Sequence, residues 1–474
     1  MTATPPGLLI RDVEIDGRPG LDCRIHADRI SGIGRGLAAR SAETVIDGRG
    51  GALLPGLADH HIHLAAWAAW RDSLDLTDIE PRQAGDLVRS AAPGTDGWIR
   101  VVGYDDAAHG PLDRDRLDTW NPAHPVRVQH RSGALWVINS AGLARLSAAN
   151  ATHPGIERTA AGELTGRCWR ADNWLRDRLG GSRPSLRAVG RELASFGITH
   201  LADATPDDTG SVAALLAESV ASGDIPQHVL TMSTVGVPAE HPRLAAGPVK
   251  LVVADHEPPD LDDLVDRMRA AHAANRPVAV HCVTRHALAL TLAGLDTAGV
   301  RDGDRIEHCA VIDPVTAHSL AERALRVVTQ PTLLTRRGDS YWEHSDPADR
   351  PDLWRYGGLL AAGVRVAPSS DAPYGDPDPW VCLRAAAERR TRSGRVLDAA
   401  ECVVAQTVLD GLLSDPADPG GPPRRVRRHG PADLVLLDRA LAVALRHPDA
   451  RYVRATIIGG SLAYTTGNLT ELSR

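Results

Sequence analysis

From about residue 55 to 420 the chain alternates short apolar runs with longer segments of helical period. That pattern commits a polypeptide to βα units around a parallel sheet. Val278-Ala279-Val280 precedes a helical stretch from Ala287 to Ala298, and Arg326-Val327-Val328-Thr329 and Val364-Arg365-Val366-Ala367 repeat the motif. Leu201-Ala202-Asp203 precedes a helical segment over 209–222, and the breakers Gly299, Gly303 and Gly363 stand just before the next strands. No Gly-x-Gly-x-x-Gly fingerprint accompanies the repeats, which favours a distorted (β/α)8 barrel, a TIM barrel, over a dinucleotide-binding sheet. The 474 residues accommodate such a barrel over 55–420 with a smaller domain besides.

The ends of the chain read differently. Residues 7–54 hold short strands between turn signals: Leu8-Leu9-Ile10, Cys23-Arg24-Ile25-His26, Arg29-Ile30-Ser31-Gly32-Ile33 and Thr44-Val45-Ile46-Asp47-Gly48. Ala432 to Asp438 and Ala455 to Gly460 carry the same character. We expect residues 1–54 and 421–474 to form one composite β-sandwich. The basic cluster Arg424, Arg425, Arg427 and Arg428 lies among Pro and Gly and reads as a solvated linker.

A net charge of −7 over this length argues against a nucleic-acid partner. The six cysteines are scattered without a Cys-x-x-Cys, as in a reducing compartment. No apolar run reaches membrane-spanning length, and residues 1–16 lack the plan of a secretory leader, so a cytoplasmic protein without a membrane partner is expected. A homo-oligomer is compatible with all of this.

The strongest local signal is Asp59-His60-His61-Ile62-His63. Alternate strand residues share a face, so His61 and His63 point together while His60 and Ile62 point elsewhere. An isolated His-x-His is more often two unrelated histidines than a ligand pair, but further candidates recur at strand ends downstream: Lys250, His281, His308 and Asp371. Their intervals of 31, 27 and 63 residues match one, one and two βα repeats, so all can reach the C-terminal face where barrels place their chemistry. Singly, each has a plain structural reading as a polar strand end, a helix cap or a solvated lysine. Lys250 is the only lysine among 53 basic residues. Coding bias can explain the scarcity, since Phe196 is equally solitary, but not the position.

These residues carry a resemblance. The chain resembles the amidohydrolase superfamily, and within it the YtcJ-like branch that includes N-substituted formamide deformylases. The match runs from about residue 45 to 465 through Pro55-Gly56, Asp59-x-His61-x-His63, Gly97-Trp98-Ile99, Leu117-Asp118 with Pro125-Val126, and Val137-Ile138-Asn139-Ser140 with Leu143. It continues through Gly197-Ile198-Thr199, Arg305-Ile306-Glu307-His308, Gln330-Pro331, Ser370-Asp371-Ala372-Pro373 and Ala432-Asp433-Leu434. By position the resemblance implies that His61, His63 and Asp371 bind one divalent metal and His281 and His308 another, with Lys250 bridging as a carbamate. Zinc suits this mixed nitrogen and oxygen set without excluding iron, manganese or cobalt. The resemblance further implies a metal-activated hydroxide attacking the carbonyl of a small amide, N-acyl or N-formyl amine, with Asp371 as general base and then general acid.

Two departures concern the substrate rather than the metals: Thr284-Arg285 stands where the family commonly has Gly-Asp, and Ala134 where it usually has histidine. A mononuclear deaminase of the same superfamily is the enzymatic alternative, although Thr284 occupies the place of its usual glutamate. A scaffold that binds without catalysis is the alternative from another class. Trp67, Trp136, Arg336, Tyr341 and Tyr374 are candidates for substrate contact. By strand alternation Cys282, Cys309 and Glu307 are expected to turn away from the metals. The segment 64–245 and a loop over 332–355, read as the determinants of the substrate, resist reading from sequence.

Overall fold

The computed structural model describes residues 7–467 except 42, 78, 180–182, 238–240 and 255–257. It divides into two compact units, one of residues 1–64 and 185–474 and one of residues 65–184.

In the first unit, two small sheets are built from both ends of the chain. Leu8–Ile15 runs antiparallel to Arg18–His26 through a two-residue Asp16-Gly17 turn, both residues at positive φ (47° and 74°). Such a turn has the twist that antiparallel strands need, and asparagine, aspartate and glycine tolerate it best. Thr44–Asp47 joins parallel to Leu8–Ile15, and Arg29–Gly34 completes that sheet. The second sheet takes Leu53–Pro55 as a partner of Leu434–Leu437, followed by Val453–Ile458 and Ser461–Thr465. Ile10, Cys23, Ile46, Leu53, Leu434 and Ile457 fill one core drawn from both termini.

The rest of this unit is α/β. One parallel sheet orders Leu244–Ala246, His228–Thr231, Ile198–Asp203 and Leu57–Ile62, and a second orders Val249–Val252, Val278–Cys282, Arg305–His308, Arg326–Thr329 and Arg365–Pro368. Leu57–Ile62, Arg305–His308 and Arg326–Thr329 are buried throughout, as expected of parallel strands covered on both faces. The intervening helices start where the sequence supplies caps. Asp313 accepts from the N–H groups of Val315 and Thr316 ahead of Pro314–Glu322, and Asp378 from that of Trp380 ahead of Pro379–Glu388. In each case proline follows the cap, where a missing N–H costs nothing. Arg285–Ala298 is capped by Thr284 and ends at Gly299, whose φ is 89°.

Two expectations are corrected here. The loop expected over 332–355 is a helix from Pro331 to His344, because Pro331 sits in its first turn and an apolar stripe (Leu333, Leu334, Tyr341) packs inward. Arg424 is no solvated linker residue: it donates to the carbonyls of Leu413 (3.0 Å) and Gly56 (2.7 Å) and meets His200 Nδ1 at 2.9 Å, leaving Arg425, Arg427 and Arg428 exposed.

The second unit is a mixed six-stranded sheet in the order Ile156–Arg158, Leu164–Trp169, Leu135–Ile138, Val126–His130, Ile99–Tyr104, Leu74–Asp75. Its helices cover two cores, one around Leu76, Val101, Leu117 and Trp120 and one around Trp98, Trp136, Ile138 and Trp174. Among the described residues, no helix is long and apolar enough to cross a membrane.

Candidate metal centre

The strand Leu57–Ile62 alternates as its sequence predicts. His60 points outward, with Nε2 3.0 Å from the carbonyl of Gly411 on the helix Ala405–Leu412, while His61 turns the other way. His63, just past the strand, lies beside His61 with ring centroids 5.2 Å apart. Asp371 reaches them from beyond Arg365–Pro368. Its N–H donates to the carbonyl of His61 (2.8 Å), and the N–H of His63 donates to that of Ala372 (2.9 Å). Asp59 holds the same loop from below, accepting from the N–H and hydroxyl of Ser370. Asp371 Oδ1 thereby stands 3.5 Å from His61 Nε2 and 3.2 Å from His63 Nε2.

The third and fourth imidazoles come from neighbouring strands. His308 lies 4.9 Å from the ring of His61 and 4.5 Å from that of His281. Its Nδ1 meets Gln330 Oε1 at 2.8 Å and approaches Asp371 Oδ2 to 4.0 Å. Lys250 pairs in register with Ala279, two residues deeper than His281, and is buried. Burial pushes its ammonium below the ordinary lysine range, although Glu307 and Asp371 oppose that shift.

Burial pushes His61 well below the ordinary histidine range, and Lys250 and His63 lower it further, which favours the neutral ring. Its Nδ1 donates to Glu307 Oε2, which leaves the lone pair on Nε2. His61 Nε2, Asp371 Oδ1 and Lys250 Nζ are all buried without a hydrogen-bond partner. Two lone pairs facing each other across 3.5 Å repel, and an orphaned buried acceptor is costly. One ligand atom from each of His61, His63 and Asp371 lies within 4.8 Å of the others, so a cation fits between them. The residues present therefore suit a divalent metal.

Glu307 corrects the alternation argument. In register, His281 stands opposite Glu307 and Cys282 opposite His308, so Glu307 is the inward residue of its strand. His308 is inward as well because its φ of 69°, followed by 52° at Cys309, breaks the alternation at the strand end. Cys282 does turn away, its Sγ 3.2 Å from Thr291 Oγ1 on the following helix. Arg305 Nε donates to Glu307 Oε1 at 2.5 Å. The inward roles of Glu307, Arg305 and Gln330 escaped the sequence reading. Charged residues spaced by two in a fully buried strand were the available signal.

Of the residues expected to meet substrate, Tyr374 stands edge-on to His63, 5.9 Å between centroids. Tyr341 packs on Trp354, and Arg336 sits on the surface of the helix Pro331–His344. Trp67 and Trp136 belong to the second unit, where Trp136 Nε1 donates to Asp172 (2.9 Å) beneath Arg100. Arg285, one of the departures, binds Asp349, Asp352 and Asp313 together.

A second group, His200, His228 and Asp433, also clusters within 4.8 Å. Its imidazoles stack at 4.7 Å, His228 Nε2 pairs with Asp433 at 3.1 Å, and the Arg424 guanidinium against His200 already supplies the positive charge. That group ties Ile198–Asp203 and His228–Thr231 to the C-terminal strand Leu434–Leu437.

An α/β fold that gathers imidazoles and a carboxylate beyond the ends of parallel strands, with His61 Nε2 and Asp371 Oδ1 lacking hydrogen-bond partners, is the framework of a hydrolase. The sequence model of the Amidohydrolase family matches residues 44–464, and the chain belongs to that family, as an enzyme that hydrolyses carbon–nitrogen bonds. It is 24% identical over 478 residues to an N-substituted formamide deformylase of Arthrobacter pascens, covering 85% of this chain and 86% of that one. Its fold is similar to an uncharacterized metal-dependent hydrolase from Pyrococcus horikoshii (TM-score 0.74, 16% identity, 91% of this chain and 97% of that one). It is also similar to N-isopropylammelide isopropylaminohydrolase from Burkholderia multivorans (TM-score 0.54, 19% identity, 97% and 100%).

Proposed function

We propose that this protein is a metal-dependent hydrolase of a small N-acyl or N-formyl amine, with Asp371 as the group that moves the proton. The observation that carries the reading is the confrontation of His61 Nε2 and Asp371 Oδ1, buried and unpaired, beside a buried and unpaired Lys250 Nζ. The 24% identity to a formamide deformylase supports the choice of amide.

In this reading His61, His63 and Asp371 would hold one ion, most naturally zinc, and His281 and His308 a second. When bound, the ions polarise the amide carbonyl and bring the pKa of water towards neutrality. Lys250, carboxylated to a carbamate, would help hold both. Burial favours its neutral amine, whose nitrogen can bond the carbon of carbon dioxide and release a proton, whereas a guanidinium could not. Asp371, its backbone pinned to the carbonyl of His61, accepts the nucleophile's proton and hands it to the departing nitrogen. Tyr374, edge-on to His63, would meet the acyl side of the substrate.

The same reading takes the two parallel sheets as one distorted (β/α)8 barrel. Backbone bonds across both seams support it: Lys250 N–H to Met232 O (3.0 Å), and Asp371 N–H to His61 O (2.8 Å). Residues of both termini form the accompanying β-sandwich, and the enzyme works in the cytoplasm on a small molecule.

The test is Asp371→Asn, assayed for formate release from N-formyl amines with metal content measured in parallel. We expect metal to be retained and turnover to fall by about 10²–10⁴-fold. Full turnover in that variant would refute the proton role, and ammonia release from purines or pyrimidines by the native enzyme would favour deamination instead.

A further inference from the structure

We propose that Glu307 is a positioning residue that fixes the tautomer of His61 and strengthens its Nε2 as a metal ligand, an inference that rests on the metal reading above. Three side chains form a closed chain of contacts. His61 Nδ1 donates to Glu307 Oε2, Arg305 Nε donates to Glu307 Oε1 (2.5 Å), and Arg305 Nη2 donates to the carbonyl of His60 (3.0 Å). The carboxylate that orients the imidazole is thus itself braced on the backbone one residue before that imidazole. Both of its oxygens are committed, so rotating away from His61 would also break the bond to Arg305.

All three side chains are fully buried, and an ion pair in such a place is poor evidence of a stability device, since an apolar pair of similar volume commonly serves as well. The fixed orientation is what an apolar pair could not provide. With Nδ1 carrying the proton, Nε2 presents its lone pair towards Asp371 Oδ1, 3.5 Å away. His308 provides the contrast: its Nδ1 faces an amide oxygen, that of Gln330, whose nitrogen is held by Ser369 Oγ at 2.9 Å. A carboxylate acceptor makes its histidine the more basic ligand, and losing such a partner typically weakens metal binding by about 10–100-fold.

The experiment measures zinc and cobalt(II) affinity by chelator competition, with the cobalt absorption spectrum, in the native full-length protein and in Glu307→Gln. The expected result is a loss of about 10–100-fold in affinity and a shifted cobalt spectrum in a chain whose circular dichroism is unchanged. Affinity within about twofold of native with the same spectrum overturns the proposal. If the lone Arg305 charge prevents Glu307→Gln from folding, Arg305→Gln/Glu307→Gln removes the imbalance and is judged by the same thresholds. Nitrogen-15 spectra of the metal-free native protein, with the His61 signals assigned by His61→Asn, report the tautomer directly. A proton on Nδ1 supports the proposal, and one on Nε2 overturns it. A native chain that binds no metal defeats the metal reading, while the tautomer still decides the role of Glu307.

Discussion

Lys250 buries an amine that neither donates to nor accepts from any described atom around it. A bare ammonium there would be a costly charge, so the residue discriminates between a bridging ligand and a structural accident. Lys250→Met keeps the length of the chain and deletes the nitrogen. If Lys250 bridges two ions, elemental analysis of this variant should find about one metal per chain or fewer, with turnover lost. Two tightly held ions in Lys250→Met would exclude the bridge. At this scale the sequence named His61, His63, Lys250, His281, His308 and Asp371 as candidates from their places at strand ends and from the family resemblance, and the structure brings the four imidazoles and Asp371 together. Glu307 was not legible, because alternation assumes a regular strand and the positive φ of His308 reverses the parity at its last residue.

Among the elements, the helix Pro379–Glu388 starts from a cap with an unusual titration. Burial raises Asp378 from the ordinary aspartate value to about 6, against the N–H of Trp380, and Asp376 adds to the rise. A carboxyl that binds its proton more tightly in the folded chain loses stability as pH rises from the unfolded value, near 4, through 6. Asparagine caps as well as aspartate but does not ionise. Urea denaturation of Asp378→Asn should therefore match the native chain near pH 4 and exceed it by roughly 2–3 kcal/mol above pH 6.5. A constant difference across that window would contradict the shift. The helix Pro331–His344 was not legible in the sequence, since its polar Arg336, Arg337, Asp339 and Ser340 resemble a loop until the apolar stripe meets its core.

For the whole molecule, a bound ion that favours only the folded state should raise stability by RT ln(1 + [L]/Kd), about 2.7 kcal/mol at a hundredfold excess over Kd. Dialysis against a chelator should abolish activity and lower the melting temperature, and zinc should restore both. Unchanged melting and activity in a chain verified to be metal-free would remove the basis of the proposed function. The sequence by itself determined the α/β alternation and the β-rich ends, because period, turn chemistry and side-chain type are local properties. The tertiary structure decided that the chain also holds a second unit over 65–184, that Arg424 is anchored on Gly56 and His200, and that Glu307 and Gln330 face the histidines. Those outcomes depend on which strands become neighbours and how their ends turn, and the contacts of His61 with Glu307 and of Arg424 with Gly56 and His200 join residues hundreds of positions apart.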